Sequence, residues 1–355
     1  MSESRRYASV DALRGLTVAA MLLVNNPGDW GHVYAPLEHA AWNGFTPTDL
    51  VFPLFVFIVG VSLTLALASA LERGAAPATL ARGVVLRAMR IVALGLVLHL
   101  VAHWAMGTPA FRPMGVLQRI GVCFAAGGAL ALYTRSRTQW CVFAGLIAGY
   151  AALLLAGGSL EPLHNIADRL DAFVLGRGAY VFDARTGLGQ DPEGLLSTLG
   201  ALATTVLGLR AGDWLRQGRA GRLACAGALA LAMGAIGSLL LAINKQLWTS
   251  SYVLWSGGWS LLALALAHRL VDERGWPPIG RRFGINAISA YALAWLATCA
   301  LVGSGAMGPL FQAAFGWIAQ LAGPDAASLG FALAFVAASW LPMWWLDRRG
   351  LAIKI

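Results

Sequence analysis

Residues 24–60 read VNNPGDWGHVYAPLEHAAWNGFTPTDLVFPLFVFIVG, and this stretch decides the fold. Its last dozen residues are too apolar for water, and another apolar run, residues 11–27, leads into it. Between the two lies a polar loop holding Trp30, His32, His39 and Trp42. A loop with that much chemistry between two membrane spans is where function is expected.

The rest of the chain repeats the apolar theme. Of 355 residues, 58% are hydrophobic and 12% charged, too little charge to cover a soluble protein of this size. Apolar runs of about 18–24 residues are long enough to cross a hydrocarbon core of about 30 Å. The chain therefore reads as an all-α integral membrane protein, a single domain over residues 1–355. The predicted architecture is a polytopic bundle of about ten transmembrane helices. Spans are expected near 11–27, 49–71, 84–104, 115–133, 139–157, 193–210, 221–242, 249–268, 283–303 and 328–346. No small-residue cleavage site follows the first run, so that run is expected to be kept as a span.

Charge orients the bundle. The net charge of +9 comes from arginines scattered through short loops, which fits the positive-inside rule better than a nucleic-acid partner. With ten spans and a cytoplasmic N-terminus, nineteen of the 26 Lys and Arg face the cytoplasm and five face the other side. Arg14 and Arg119 lie within spans. Crossing once more at residues 306–321 would turn Arg348, Arg349 and Lys354 outward. That piece is therefore read as interfacial or re-entrant, and both termini as cytoplasmic. A bacterial inner membrane is the expected location. Cys123, Cys141, Cys225 and Cys299 sit in apolar runs without metal-ligand spacing and are expected to pack as small hydrophobes.

Polar groups inside spans are expensive and must find partners. Asp11 and Arg14, three apart on one helical face, are read as an ion pair. Arg119, beside Gln118, either lines a cavity or pairs with a carboxylate such as Asp49. Asp49 follows Thr46 and Thr48 at the start of a span, where the helix dipole favours a carboxylate. It is also placed to orient a neighbouring histidine. His39 is the sharper candidate, because imidazole titrates at about pH 6.5 and takes a proton at neutral pH. Trp42, Asn43 and Gly44 follow it with an aromatic wall, an amide and a tight turn. Asn25 supplies an amide able to hold a carbonyl oxygen. His99 and His103 have metal-compatible spacing, but with no third ligand visible they are read as packing groups.

Farther on, the loop over residues 158–192 carries Glu161, Asp168, Asp171, Asp183 and Asp191. It either attracts an amino-bearing ligand or is charged because it is exposed. DPEGLLST, residues 191–198, reads as a helix start, with Asp191 as cap, Pro192 first and Glu193 in the opening turn. Asn244, Lys245 and Trp248 fall on an outer turn, and Ser250, Ser251 and Ser256 follow within a span, suiting close packing or a polar passage. Arg82, Arg87, Arg90, Arg281 and Arg282 can collect phosphates, although the positive-inside rule accounts for them equally. Asn286, Ser289 and Tyr291 continue from them into the ninth span.

Seven segments together carry a resemblance. SVDALRG, LLVNN, EHAAWNGFTPTDLVFPLFVFIVG, RPMGVLQRIG, DPEGLLST, NKQLWTSSYVLW and INAISAY, in this order, resemble the heparan-α-glucosaminide N-acetyltransferase family and its bacterial NagX-like members. The resemblance covers nearly the whole chain. It implies a membrane acyltransferase that moves acetyl from cytoplasmic acetyl-CoA to the amine of glucosamine or a glucosamine-terminated glycan. It places the catalytic histidine on His39 and its partner on Asn25, with Asn26 as a possible substitute because this loop is longer than in animal members. Substrate contacts are then expected from Trp42, Asn43, Asp49, Arg119, Lys245 and Trp248. Contacts to acetyl-CoA are expected from Arg82, Arg87, Arg90, Arg281, Arg282 and Asn286. The co-substrate is acetyl-CoA, no metal is implied, and the partners are the lipid bilayer and a second copy in a homodimer. His39 would act as general base, or carry the acetyl group itself. An amino-sugar permease stays open, although no inverted repeat is visible. So does O-acetylation of an external glycan.

Overall fold

The computed structural model describes residues 7–353, so Arg5, Arg6 and Lys354, counted above in the charge balance, lie outside the described residues. Helix α1 is Ala8–Asn25, α2 Val51–Glu72, α3 Pro77–Met106, α4 Val116–Tyr133 and α5 Ser136–Ala156. Then come the short α6, Ile166–Leu175, and a small hairpin of β1, Val181–Asp183, with β2, Leu188–Gln190. The hairpin is antiparallel, with Phe182 opposite Gly189. Helix α7 is Ser197–Arg216, α8 Gly221–Gly237 and α9 Ser250–Ala267, and a π-helical stretch, His268–Glu273, prolongs α9. The chain ends with α10, Arg281–Ile285, α11, Ala287–Gly303, α12, Met307–Ala322, and α13, Pro324–Arg348.

Apart from the hairpin and the loops the protein is helical, and a helix lies over every stretch predicted as a span. Among the described residues, six helices are long and apolar enough to cross a membrane: α1, α2 with its lead-in, α3, α4, α5 and α13. A seventh crossing is reached if α11 and α12, bent 98° to each other, count as one broken span. The bend fits a broken span and a re-entrant piece at residues 306–321 equally.

Helix α7 misses the composition test for a physical reason. Fifteen of its 20 residues are buried by neighbouring helices, so it meets protein where a lipid-facing helix would meet hydrocarbon. It can therefore hold Thr204, Thr205, Arg210 and Asp213, with Arg210 Nη2 donating to Asp213 Oδ2 at 2.8 Å and each threonine hydroxyl to a carbonyl of its own helix. Its contact with α2 is backbone to backbone. A Cβ on Gly60 would lie 2.1 Å from the Thr205 carbonyl oxygen, and one on Gly208 2.1 Å from that of Phe57. The core around this crossing holds Val56, Phe57, Ile58, Val61 and Leu207, all buried.

The predicted helix start at DPEGLLST moves. Helix α7 begins at Ser197, and Asp191 does not cap it. The Asp191 carboxylate takes Arg112 Nε at 2.9 Å and the backbone N–H groups of Tyr180 and Glu193. A bidentate guanidinium outbids a helix end for a buried carboxylate.

Candidate active site

The site is built on the turn into α2. Thr46 and Asp49 form a reciprocal capping box around the short 3-10 turn Pro47–Leu50. Asp49 is fully buried, and its Oδ2 accepts the N–H groups of Ala40 and Thr46, both at 3.0 Å. Its Oδ1 lies 2.7 Å from His39 Nδ1. The carboxylate can only accept, so His39 Nδ1 carries a proton, and in the neutral ring Nε2 then holds the lone pair. A helix-capping aspartate and a histidine-orienting aspartate are thus one residue.

The opposite wall comes from the turn between α8 and α9. Lys245 Nζ stands 3.0 Å from His39 Nδ1, 3.1 Å from Nε2 and 3.7 Å from Asp49 Oδ1. Burial pushes this ammonium below the usual lysine range, against the pull of Asp49 and Glu193. Two bonds lock the turn to the His39 loop: Asn244 Nδ2 donates to Asn43 Oδ1 at 3.2 Å, and Gly44 N–H to the Ile243 carbonyl at 2.8 Å. Tyr252 on α9 donates to the Asp49 carbonyl at 2.5 Å.

Trp42 reaches sideways, with Nε1 donating to the Leu160 carbonyl at 3.1 Å. Trp248 lies beneath, 1% exposed, edge-on to Phe52 and to Tyr252. Arg119 is fully buried with its guanidinium 5.1 Å over the Trp248 ring. It does not pair with Asp49: Nη2 donates to the Gly194 carbonyl and to Ser197 Oγ, while Nε and Nη1 find no partner among the described residues. Gln118 is likewise buried without a partner among those residues. Asn25 ends α1 and is exposed. Asn26 is buried and spent on packing, donating to the Leu22 carbonyl and accepting from Thr298.

A second feature lies at the arginine-rich end of the bundle. A cavity of about 360 Å³ opens among α1, α2, α3, α4 and α11, with Arg14, Ser62 and Arg87 on its wall beside Phe55, Ile120 and Ile353. Arg14 makes the predicted pair with Asp11 at 2.5 Å and also donates to the Gly284 carbonyl and Ser62 Oγ. Of the six residues expected to contact acetyl-CoA, Arg87 lines this wall. Arg82 and Arg90 are exposed on other faces of α3. Arg281 and Arg282 face Asp347, at 3.9 and 3.2 Å. Asn286 ties down the end of the chain, bonding the Leu351 carbonyl and the Ile353 N–H.

Most acids of the loop before α7 turn inward. Asp168, Asp171 and Asp191 are buried, which leaves Glu161 exposed and Asp183 half-exposed. Burial pushes the Asp168 carboxyl up to about 6 and the Asp171 carboxyl up to about 7. Asp171 accepts the Leu195 N–H at 2.8 Å, tying α6 to the lead-in of α7. The loop's acidity is therefore mostly structural. His99 packs on Trp295 with Nδ1 on the Arg112 carbonyl, and His103 meets Thr108.

Sequence reading missed two contacts. Lys245 reaches His39 across 206 positions, which no spacing rule detects. Arg14 joins the cavity wall while already paired, and a local ion pair hides that second role.

A protein-family model described as "Heparan-alpha-glucosaminide N-acetyltransferase, catalytic" matches residues 6–170. Among curated proteins, the heparan-alpha-glucosaminide N-acetyltransferase of Mus musculus is 28% identical over 355 aligned residues, 82% of this chain and 53% of that one. The Homo sapiens protein of the same name is 28% identical over 353, 81% and 52%. The chain spans about half the length of these relatives.

Proposed function

We propose that this chain, similar to the heparan-alpha-glucosaminide N-acetyltransferases, is a membrane N-acetyltransferase using acetyl-CoA. The acceptor is the amine of glucosamine or of a glucosamine-terminated glycan. The observation that carries the reading is the His39–Asp49 pair at 2.7 Å, within the segment the family model matches.

The chemistry follows from those residues. Asp49 holds the Nδ1 proton, so His39 Nε2 is the basic atom presented to the loop side. His39 accepts the proton of the amine as it attacks the thioester carbonyl. The cavity at the arginine-rich end suits the donor: Arg87 and Arg14 offer cations to phosphates, and Phe55 and Ile120 offer an apolar wall to the pantetheine arm. One turn along α2 from Phe55, Phe52 touches Trp248; next to Ile120 on α4, Arg119 covers the same ring. The thioester would approach His39 through this layer. Transfer is direct, needing one passage of the donor and no acylated residue. The finer assignments go with the reading: ten spans with both termini in the cytoplasm, His39 on the outer side, a bacterial inner membrane and a homodimer.

The test is acetyl transfer by purified protein in detergent, with labelled acetyl-CoA and glucosamine, for wild type and His39→Ala. N-acetylglucosamine from wild type and a loss of several orders of magnitude in the variant are expected. An ester product would reassign the acceptor to a hydroxyl. No acetyl transfer to any amino sugar would overturn the reading.

A further inference from the structure

We propose that Lys245 is a second catalytic residue, whose ammonium rests on His39 in the free enzyme and binds the acyl carbonyl oxygen during transfer. The inference rests on the acyltransferase reading above.

Geometry argues for it first. His39 Nδ1 is committed to Asp49, so an acceptor amine must bind at Nε2. Lys245 Nζ is 3.1 Å from that same atom. A carbonyl carbon attacked by an amine held at Nε2 therefore has its oxygen within reach of the ammonium. The His39 side chain is 45% exposed and so open to an acceptor, and a cation positioned where charge develops is the arrangement that stabilises an oxyanion. Asn25, expected from the sequence to hold a carbonyl oxygen, ends α1 and is exposed, as His39 is in its loop.

The lysine also keeps donors beyond its ion pair. It faces Asp49 Oδ1 at 3.7 Å, an ion pair longer than a direct hydrogen bond. Asp49 is already filled by His39, Ala40 and Thr46. The Lys245 side chain is 17% exposed and has an imidazole as its nearest partner. That leaves ammonium donors for an incoming oxygen.

The turn beneath it is built to fix its place. Asn244 Oδ1 accepts the Leu247 N–H at 2.9 Å, Thr249 Oγ1 accepts the Asn244 N–H at 3.1 Å, and Tyr150 donates to the Leu247 carbonyl at 2.5 Å. Trp248 adopts φ +52°, a left-handed conformation costly for a side chain of its size. Such a turn, tied across to Asn43 and Gly44, holds Lys245 in register with the base.

The step balances. The amine nitrogen bonds to the carbonyl carbon while its proton passes to His39 Nε2, and the carbonyl π pair moves onto oxygen against Lys245 Nζ. Collapse re-forms C=O and breaks C–S, and the departing CoA thiolate takes the proton from His39.

The experiment compares wild type, Lys245→Met and Lys245→Arg with acetyl-CoA and with fluoroacetyl-CoA, glucosamine being the acceptor. Thermal melting of each variant checks its fold. Lys245→Met is expected to lose about 10²–10³-fold in kcat with acetyl-CoA at little change in KM. Lys245→Arg recovers part of that loss. The deficit shrinks with fluoroacetyl-CoA, whose electron-poor carbonyl carries its own negative charge better. A lysine that merely props up the loop would lose equally with both donors, which would overturn the proposal. A Lys245→Met enzyme as active as a working wild type sinks the lysine alone. A wild type that transfers no acetyl group sinks the acyltransferase reading and this role with it.

Discussion

His39 Nδ1 stands 2.7 Å from Asp49 Oδ1, and the carboxylate that holds it is also the cap of the turn into α2. Orientation of His39 and the start of helix α2 are thus one structural event. Asp49→Asn should expose this. An amide can donate to Nδ1 and reverse the tautomer, removing the lone pair from the substrate side. By analogy with other histidine–carboxylate pairs, kcat should fall about 10²–10⁴-fold with the protein still folded. Steady-state acetyl transfer beside a thermal melt checks it; an Asp49→Asn enzyme with wild-type kcat would refute the pairing as functional.

Asn244 joins the two walls of the site. Asn244→Ala removes the bond to Asn43 and leaves the Leu247 N–H unpaired in a buried turn. A buried donor without a partner costs about 1–3 kcal/mol. The melting temperature should drop and activity should fall with it, since Lys245 and His39 lose their shared register. A variant that melts as wild type does would show that the turn is held by other contacts.

Gly83 lines the cavity, and a Cβ there meets nothing within 4 Å. Gly83→Leu would therefore fill space without a backbone clash, and in a helix interior it gains up to about 1 kcal/mol of propensity. A cavity that admits the acyl donor predicts a raised KM for acetyl-CoA, an unchanged KM for the amino sugar and no loss of stability. Equal donor KM values in the two proteins would place the donor elsewhere.

Asp171 gives the outer loop a pH dependence. Burial raises its carboxyl to about 7 from the usual carboxylate range, so the folded state binds the proton more tightly than the unfolded chain. The stabilisation is complete below about pH 4 and is lost as pH rises through about 7. Asp168, raised to about 6, acts in the same direction. Amide exchange at residues 163–172 and 191–196 should therefore report a local opening energy that declines from pH 5 to pH 8, after correction for intrinsic exchange. Asp171→Asn should flatten that decline. A pH-independent opening energy in wild type would contradict the burial argument.

Much of the architecture was legible from local properties. Hydropathy over some twenty residues located the stretches where the long helices lie, because a lipid-facing helix must be apolar along its length, but not the short α6. The i, i+3 spacing of Asp11 and Arg14 announced their pair. His39 and Asp49 stood out by chemistry within one loop, and the same segments carried the family resemblance. Local reading failed where burial rather than composition sets the outcome. DPEGLLST looks like a helix start, but Arg112, far away in the chain, claims its aspartate. The acids of residues 158–192 look solvent-facing, but three of them point inward.

By itself, then, the sequence determined a helical membrane protein, a resemblance to one acetyltransferase family, and a polar loop centred on His39. Each is a property of neighbouring residues or of a contiguous motif. Tertiary structure alone decided that Lys245 meets His39, that Arg119 lies over Trp248, and that Arg14 and Arg87 share a cavity. Those contacts depend on which helix faces pack together, and at Gly60 and Gly208 that packing is set by backbone surfaces touching where side chains are missing. Nothing in the spacing of Lys245 and His39 along the chain encodes their meeting.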